Sequence, residues 1–414
     1  MPESKRLVDL VQARVDEYLM SREPIVTLIS SELTPLVDYS RQFLSGGKRF
    51  RAQFCYWGAQ SILPPGSAAQ SGPESGTESG LESGPESGPE SGLESLPESL
   101  PESGLESGLE SGPEAVGRPA SEAAVVSAAS ALEIFHAAAL VHDDIIDNSD
   151  TRRGAPSAHK LFESLHLQEG WAGDADSFGR ASAILLGDLL LGWSDELLDE
   201  GLYELADRAA ARRARLEFNN MRTEVTAGQY LDILEERAWS AHPEAELLDR
   251  ALRVIVYKSA KYSVQAPLVI GAALSGASPS QLDSLRAFGL PLGMAYQLRD
   301  DLLGVFGDAA VTGKPSGDDL TEGKRTVLIA LARERLDDSS RASLDAQLGD
   351  PTLDAAQIRA LQQLIAASGA VDRIETLIAS QVAEALAALE IAPISTVARQ
   401  KLRDLTDRVT RRVF

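Results

Sequence analysis

Residues 121–147, SEAAVVSAASALEIFHAAALVHDDIID, set the tightest limit on what this chain can fold into. Their apolar positions recur at helical spacing, so the segment reads as one long helix that must be buried on nearly every side. Glu133 and His136 interrupt the apolar run and argue against a membrane span. Such a helix needs other helices around it, and the sequence supplies them. Helical spacing recurs over residues 4–20, 26–45, 46–63, 176–199, 203–237, 243–275 and 278–306, with Pro24 and Pro35 near the first turns. About four shorter helices follow. Strand signals are nearly absent. The expected fold is all-α, a bundle of long helices around a central cavity.

The buried helix ends in HDDIIDNSDTRRG. If that end is helical, Asp143 and Asp147 are an i,i+4 pair on one face, with Asp144 beside them. Two close carboxylates repel, and a divalent cation removes the conflict. Oxygen donors in small number suit Mg²⁺, which keeps waters and shares its remaining positions with phosphate. Arg152 and Arg153, within two helical turns, then read as fork donors to the same anion. Alone, the motif reads first as a solvated acidic face followed by bases. His136 lies two turns before Asp143 on nearly the same face, pointing toward the same cavity.

Matching parts occur elsewhere. GGKRFR, from Gly46, puts two glycines before a basic helix start, where amides, the helix dipole, Lys48, Arg49 and Arg51 together suit an anion. A helix start with solvated bases is the plainer reading. Late in the chain, AYQLRDDLLGVFGDAAVTGKPSGDDLTEGKRT carries a second carboxylate pair, Asp300 and Asp301, with Gln297 one turn earlier and Lys314, Asp318 and Lys324 after it. Two acidic motifs, each followed by bases, suit metal ions held between facing helices and a cage of lysines around polyphosphate. Smaller signals lie between: Glu224, Gln229 and Asp232 in EVTAGQYLDIL, and Lys258 and Ser259 in YKSAKYS.

From Gly66 to Ala120 the chain repeats GPES, GLES and LPES with a period of four. That period fits neither strand nor coiled coil, and the apolar content is too low to offset chain entropy. The tract is expected to be a disordered insertion inside one domain spanning 1–414. Its eleven glutamates account for about half of the formal net charge of −23. The acidic balance argues against nucleic acid as a partner. A single cysteine, Cys55, in an apolar helix suits a buried thiol in a reducing compartment. With no charged-then-apolar leader at the start, a soluble cytoplasmic protein is expected.

The ordered set GGKRFR, HDDIIDNSDTRRG, GQYLD, YKSA and YQLRDD…GKPSGDDLTEGKRT resembles the trans-isoprenyl diphosphate synthases (polyprenyl synthetases), geranylgeranyl diphosphate synthases in particular. The resemblance implies an all-helical, isoprenoid-synthase-type homodimer that couples isopentenyl diphosphate to an allylic diphosphate. It makes Lys48, Arg51, His136 and Arg153 the isopentenyl diphosphate pocket. Arg152, Lys258 and Lys314 become donors to the allylic diphosphate, and Lys324 closes over it. Asp143 and Asp147 hold metal, Asp300 holds the facing metal, and Asp144 and Asp301 act through water. The ion implied is Mg²⁺, with Mn²⁺ as a substitute. Ser259 and Gln297 surround the developing cation, while Gln229 and Asp232 give support behind them. One position departs from the family pattern: the second acidic motif has Gly304 where a third Asp is usual.

Product length becomes a packing question. Ala139 and Ala138, four and five residues before Asp143, are small enough for a chain to pass. Phe135, eight before, is the first bulky side chain and a candidate floor. The first motif also lacks the two-residue insertion of typical bacterial farnesyl synthases, so the twenty-carbon geranylgeranyl diphosphate is favoured over farnesyl or longer products. Two rivals stand. A terpene cyclase has no use for a second diphosphate pocket, against Lys48, Arg51 and Arg153. A regulatory subunit of a synthase is expected to have lost acidic residues, against both intact clusters.

Overall fold

The computed structural model describes residues 3–62, 120–308 and 316–411. Their regular structure is helical except for one two-stranded hairpin, so the all-α expectation holds among the described residues. The Glu-Ser tract, expected to be disordered, lies outside them apart from Ala120, as does Lys314. The helices are α1 (Glu3–Ile29), α2 (Thr34–Leu44), α3 (Phe50–Gln60), α4 (Glu122–Ile146), α5 (Ala158–Glu169), α6 (Ala175–Tyr203), α7 (Arg208–Ala238), α8 (Leu247–Val254), α9 (Ala266–Leu274) and α10 (Pro279–Phe306). Among the described residues six shorter ones follow, where about four were expected: α11 (Asp318–Glu322), α12 (Val327–Arg335), α13 (Asp338–Gln347), α14 (Ala355–Ala367), α15 (Ala370–Ile391) and α16 (Thr396–Thr410).

Helix α4 sits at the centre. Ser121 caps it by accepting the Ala124 amide, and sixteen of its residues are buried. It is long and apolar enough to cross a membrane, but α1, α3, α6 and α9 enclose it. Its buried side chains, with Leu186, Leu190, Phe218 and Leu268 from its neighbours, form the larger of two apolar cores. The second core joins the end of α10 to α12–α15 through Leu298, Leu302, Leu328 and Ile374. Cys55 is fully buried in α3, and burial pushes its thiol up to about 12.

Several local expectations fail, each for a physical reason. Pro24 lies inside α1, because buried Leu19 and Val26 carry the packing across it; the break comes at Ser30. Helix α5 falls outside the predicted set. The C-terminal end of α4 does not continue to the arginines: Asp147 is its C-cap and Asn148 turns left-handed. The strands β1 (Thr151–Arg152) and β2 (Ala155–Pro156) then pair antiparallel. Arg153 and Gly154 both take positive φ at the tip, the signature of a tight two-residue hairpin. The stretch expected as one helix over 243–275 contains a π-helical segment, Ile255–Gln265, between α8 and α9. Its wider turns present Lys258 and Tyr262 to the centre of the bundle.

Candidate active site

Five elements bring their polar ends together around the end of α4. Asp143 accepts from Gln229 on α7 at 3.0 Å and lies 3.2 Å from the Lys258 ammonium of the π segment. Arg152, returned by the hairpin, donates through Nε to Asp144 at 2.9 Å and reaches Asp143 at 3.4 Å. Asp147 meets Lys324 at 2.7 Å. Asp232 on α7 lies 2.5 Å from Lys258 and 3.3 Å from Lys324, and Glu236, one turn on, is 2.9 Å from Lys324. Arg152, Lys258 and Lys324, which the resemblance assigns to a diphosphate, are therefore paired with carboxylates.

Electrostatics follows from that geometry. Burial alone would raise the Asp143 carboxyl, but Lys258, Arg152 and Lys324 hold it well below the usual range. Asp147 goes the other way: burial and the Asp143 charge raise it, with Lys324 only partly opposing. Burial would strip the proton from Lys258 and Lys324, yet the surrounding carboxylates raise both. Both lysines stay charged.

Beside this cluster opens a cavity of about 690 Å³. Lys48, Arg51, His136, Arg152 and Arg153 line it, together with Gln297, Asp300, Asp301, Asp318 and Asp319. Arg152 thus belongs to both the cavity and the first acidic motif. Arg51 stacks over the Tyr262 ring, 4.2 Å from its centroid, and donates to Ser263 at 2.8 Å. His136 Nδ1 is 3.1 Å from the Tyr262 hydroxyl. Burial first, then Arg51 and Arg153, push His136 well below its ordinary value, so it is neutral. Asp301 accepts from Gln297 at 2.8 Å; burial raises its carboxyl well above normal, with Asp319 and Asp300 adding to the shift.

The structure corrects one part of the anion site expected at the start of α3. Arg49 takes a left-handed conformation and turns inward, donating to Glu133 at 3.2 Å, to Gln12 and to the Leu44 carbonyl. Glu133 also accepts the Ala52 amide at 3.1 Å. The positive end of α3 is therefore already capped by a buried carboxylate, leaving Lys48 and Arg51 to the cavity. In the sequence Glu133 reads only as a break in an apolar run. Glu236 is a second omission, and its signal was present: it lies four residues after Asp232. Ser259 is not among the residues lining the cavity.

Among the described residues, no three Asp, Glu, His or Cys side chains converge enough to enclose a metal ion by themselves. The oxygen donors still fit Mg²⁺. Asp147 Oδ1 and Asp301 Oδ2 are buried without a hydrogen-bond partner. A hard cation that takes one or two carboxylates and completes its shell with water and phosphate matches such a site.

This geometry can be set beside known proteins. The sequence profile of the polyprenyl synthetases matches residues 112–365. A short chain isoprenyl diphosphate synthase of Methanothermobacter thermautotrophicus is 31% identical over 237 residues, 57% of this chain and 64% of that protein. The match thus spans just under two thirds of that relative's length. A geranylfarnesyl diphosphate synthase of Natronomonas pharaonis is 30% identical, covering 72% of this chain and 77% of its own. The crystal structure of a geranylgeranyl pyrophosphate synthase from Corynebacterium glutamicum, complexed with isoprenyl diphosphate and magnesium, superposes with a TM-score of 0.80. It is 33% identical, with 99% of each chain covered. Two acidic motifs in one helical fold, the basic cavity beside them and these matches have one reading: the chain belongs to the polyprenyl synthetase family.

Proposed function

We propose that the protein is a trans-prenyltransferase that joins isopentenyl diphosphate to an allylic diphosphate, with geranylgeranyl diphosphate as the main product. The carrying observation is the presence of two separate basic sets: Lys258 and Lys324 on the first acidic motif, and Lys48, Arg51 and Arg153 on the cavity. One diphosphate needs one set. Two substrates need both.

Asp143, Asp147 and Asp300 would hold Mg²⁺, or Mn²⁺ in its place. The metal supplies charge stabilisation for the departing diphosphate. Lys258 and Lys324 exchange their carboxylate partners for the allylic diphosphate oxygens, while Arg152 stays paired with Asp144 and turns its remaining donors to the same group. Lys48, Arg51 and Arg153 fix the isopentenyl diphosphate so that its double bond faces the allylic carbon. Neutral His136 donates or accepts without adding charge. As the carbon–oxygen bond breaks, that double bond attacks the allylic cation, and the released diphosphate takes the proton lost. No side-chain nucleophile takes part. Gln297 turns its amide oxygen toward developing positive charge, and Ser259 is read the same way from the turn that bears Lys258. The apolar walls keep water from the cation.

We read residues 1–414 as one such domain, interrupted by the 66–120 tract and located in the cytoplasm. A homodimer is supported by the exposed apolar side chains Ile184 and Leu185 on α6 and Leu216 and Tyr230 on α7. The test is product chromatography with labelled isopentenyl diphosphate, each allylic primer in turn, and Mg²⁺. A discrete prenyl diphosphate that disappears in Asp143→Ala supports the synthase. A cyclic hydrocarbon from a long primer overturns it in favour of a cyclase, and no turnover with any primer favours a regulatory subunit.

A further inference from the structure

Helix α7 and the turn after it carry Asp232, Glu236 and Trp239, spaced four and three residues apart so that they share a face. Asp232 and Glu236 take the Lys324 ammonium. Trp239 takes the next residue in the chain: the Arg325 guanidinium lies 3.8 Å from the centre of its ring. Adjacent residues of one segment are thus held by successive turns of one helix.

The second of these contacts is built more firmly than a surface stack. Arg333 on α12 lies at 4.7 Å from the same ring. Asp345 on α13 is 3.2 Å from Arg325 and also pairs with Arg333, which Glu244 meets at 3.1 Å. The Arg325 and Arg333 side chains are only 11% and 6% exposed. Two like charges so buried repel, and both remain at one indole because the ring and these carboxylates oppose that repulsion. The void beside them is about 20 Å³, room for about one water and not for a ligand. Trp239, Arg325 and Asp345 do not line the large cavity either. The stack is an anchor, not a binding site.

An anchor is needed here because the neighbouring ammonium must move. On the synthase reading, Lys324 leaves Asp147, Asp232 and Glu236 for diphosphate oxygens, and a side chain that changes partners cannot hold its own backbone while it does so. Arg325 keeps its partners throughout. We propose that Trp239 is a positioning residue for Lys324: by stacking on Arg325 it fixes the backbone from which the ammonium swings between carboxylates and the allylic diphosphate. The inference rests on the synthase reading.

The test is steady-state kinetics with each substrate varied separately, with thermal melts alongside. Trp239→Leu keeps an apolar side chain and removes the ring. It should raise the KM for the allylic primer roughly fivefold, the scale of one lost cation–π contact, and leave the KM for isopentenyl diphosphate near wild type. Trp239→Phe, which keeps a weaker ring, should recover most of the primer KM. In a Lys324→Met background the Trp239→Leu effect should vanish, because its route to the substrate is gone. If Trp239→Leu does not fold, Arg325→Met, which keeps the apolar stem and removes the stacked charge, carries the same expectation. Equal rises in both KM values overturn the inference, as does a Trp239→Leu effect undiminished in the Lys324→Met background. A wild type that elongates no primer overturns the synthase reading first and takes the inference with it.

Discussion

Lys324 reaches Asp147 at 2.7 Å, tying the segment after α10 to the first acidic motif at the end of α4. The same ammonium touches Asp232 and Glu236, so one cation offsets three carboxylates in a largely buried cluster. Lys324→Met removes the direct cation partner of Asp147 and Glu236, leaving Asp232 to Lys258 alone, and should cost about 3 kcal/mol of stability, as for one partner removed from a buried ion pair. Mg²⁺ with inorganic diphosphate should restore much of the loss. Urea unfolding with and without the pair checks this; an equal loss in both conditions would show that Lys324 is not exchanged for ligand.

Glu133→Gln keeps the shape of the side chain but removes the charge that caps α3 and pairs with buried Arg49. A loss of about 3 kcal/mol is expected. Because Lys48 and Arg51 flank that helix start, the KM for isopentenyl diphosphate should rise several-fold while the KM for the allylic primer changes little. Steady-state kinetics with each substrate varied separately distinguishes this from general damage.

His136 is held below its ordinary value, and the sign of its effect is fixed by linkage. As pH falls below about 6.5 the unfolded chain binds a proton that the folded protein refuses, so stability drops with pH in that window. The slope from one such group is about 1.4 kcal/mol per pH unit. His136→Asn should flatten the decline between pH 6.5 and 5. Melts across that range give the slope directly, and identical profiles would remove His136 as its source.

Phe135 packs edge-on against Phe218 at 6.0 Å and Tyr262 at 5.8 Å, so the candidate floor is a cluster of three rings. Phe135→Ala should lengthen the product by at least one five-carbon unit, at a stability cost of about 3–5 kcal/mol. Chromatography of dephosphorylated products reads the length; an unchanged chain length would sink the role of Phe135.

What could be read in advance had a local signature. Asp143 and Asp147 are one turn apart with Arg152 five residues on, and Asp300 and Asp301 are adjacent with Lys314 thirteen residues on. The long apolar periods announced the bundle for the same reason. Glu133, Asp319 and the pairing of Lys258 with Asp232 lacked such a signature, because their meaning depends on what another segment brings to them. The π segment was hidden differently. Its residues keep ordinary helical spacing, and only packing against α7 and α10 favours the wider turn. Arg152 reaches the acidic motif not along a helix, as its spacing suggested, but back through a hairpin.

The contact between α3 and α9 has a consequence for how such an enzyme can diversify. A Cβ on Gly58 would collide with the Leu268 carbonyl, and one on Gly271 with the Cys55 carbonyl, so the two helices touch backbone to backbone. At those two points there is no side chain to trim or enlarge. Any side chain at either point would push α3 and α9 apart, so the spacing between these two helices is set by backbone alone.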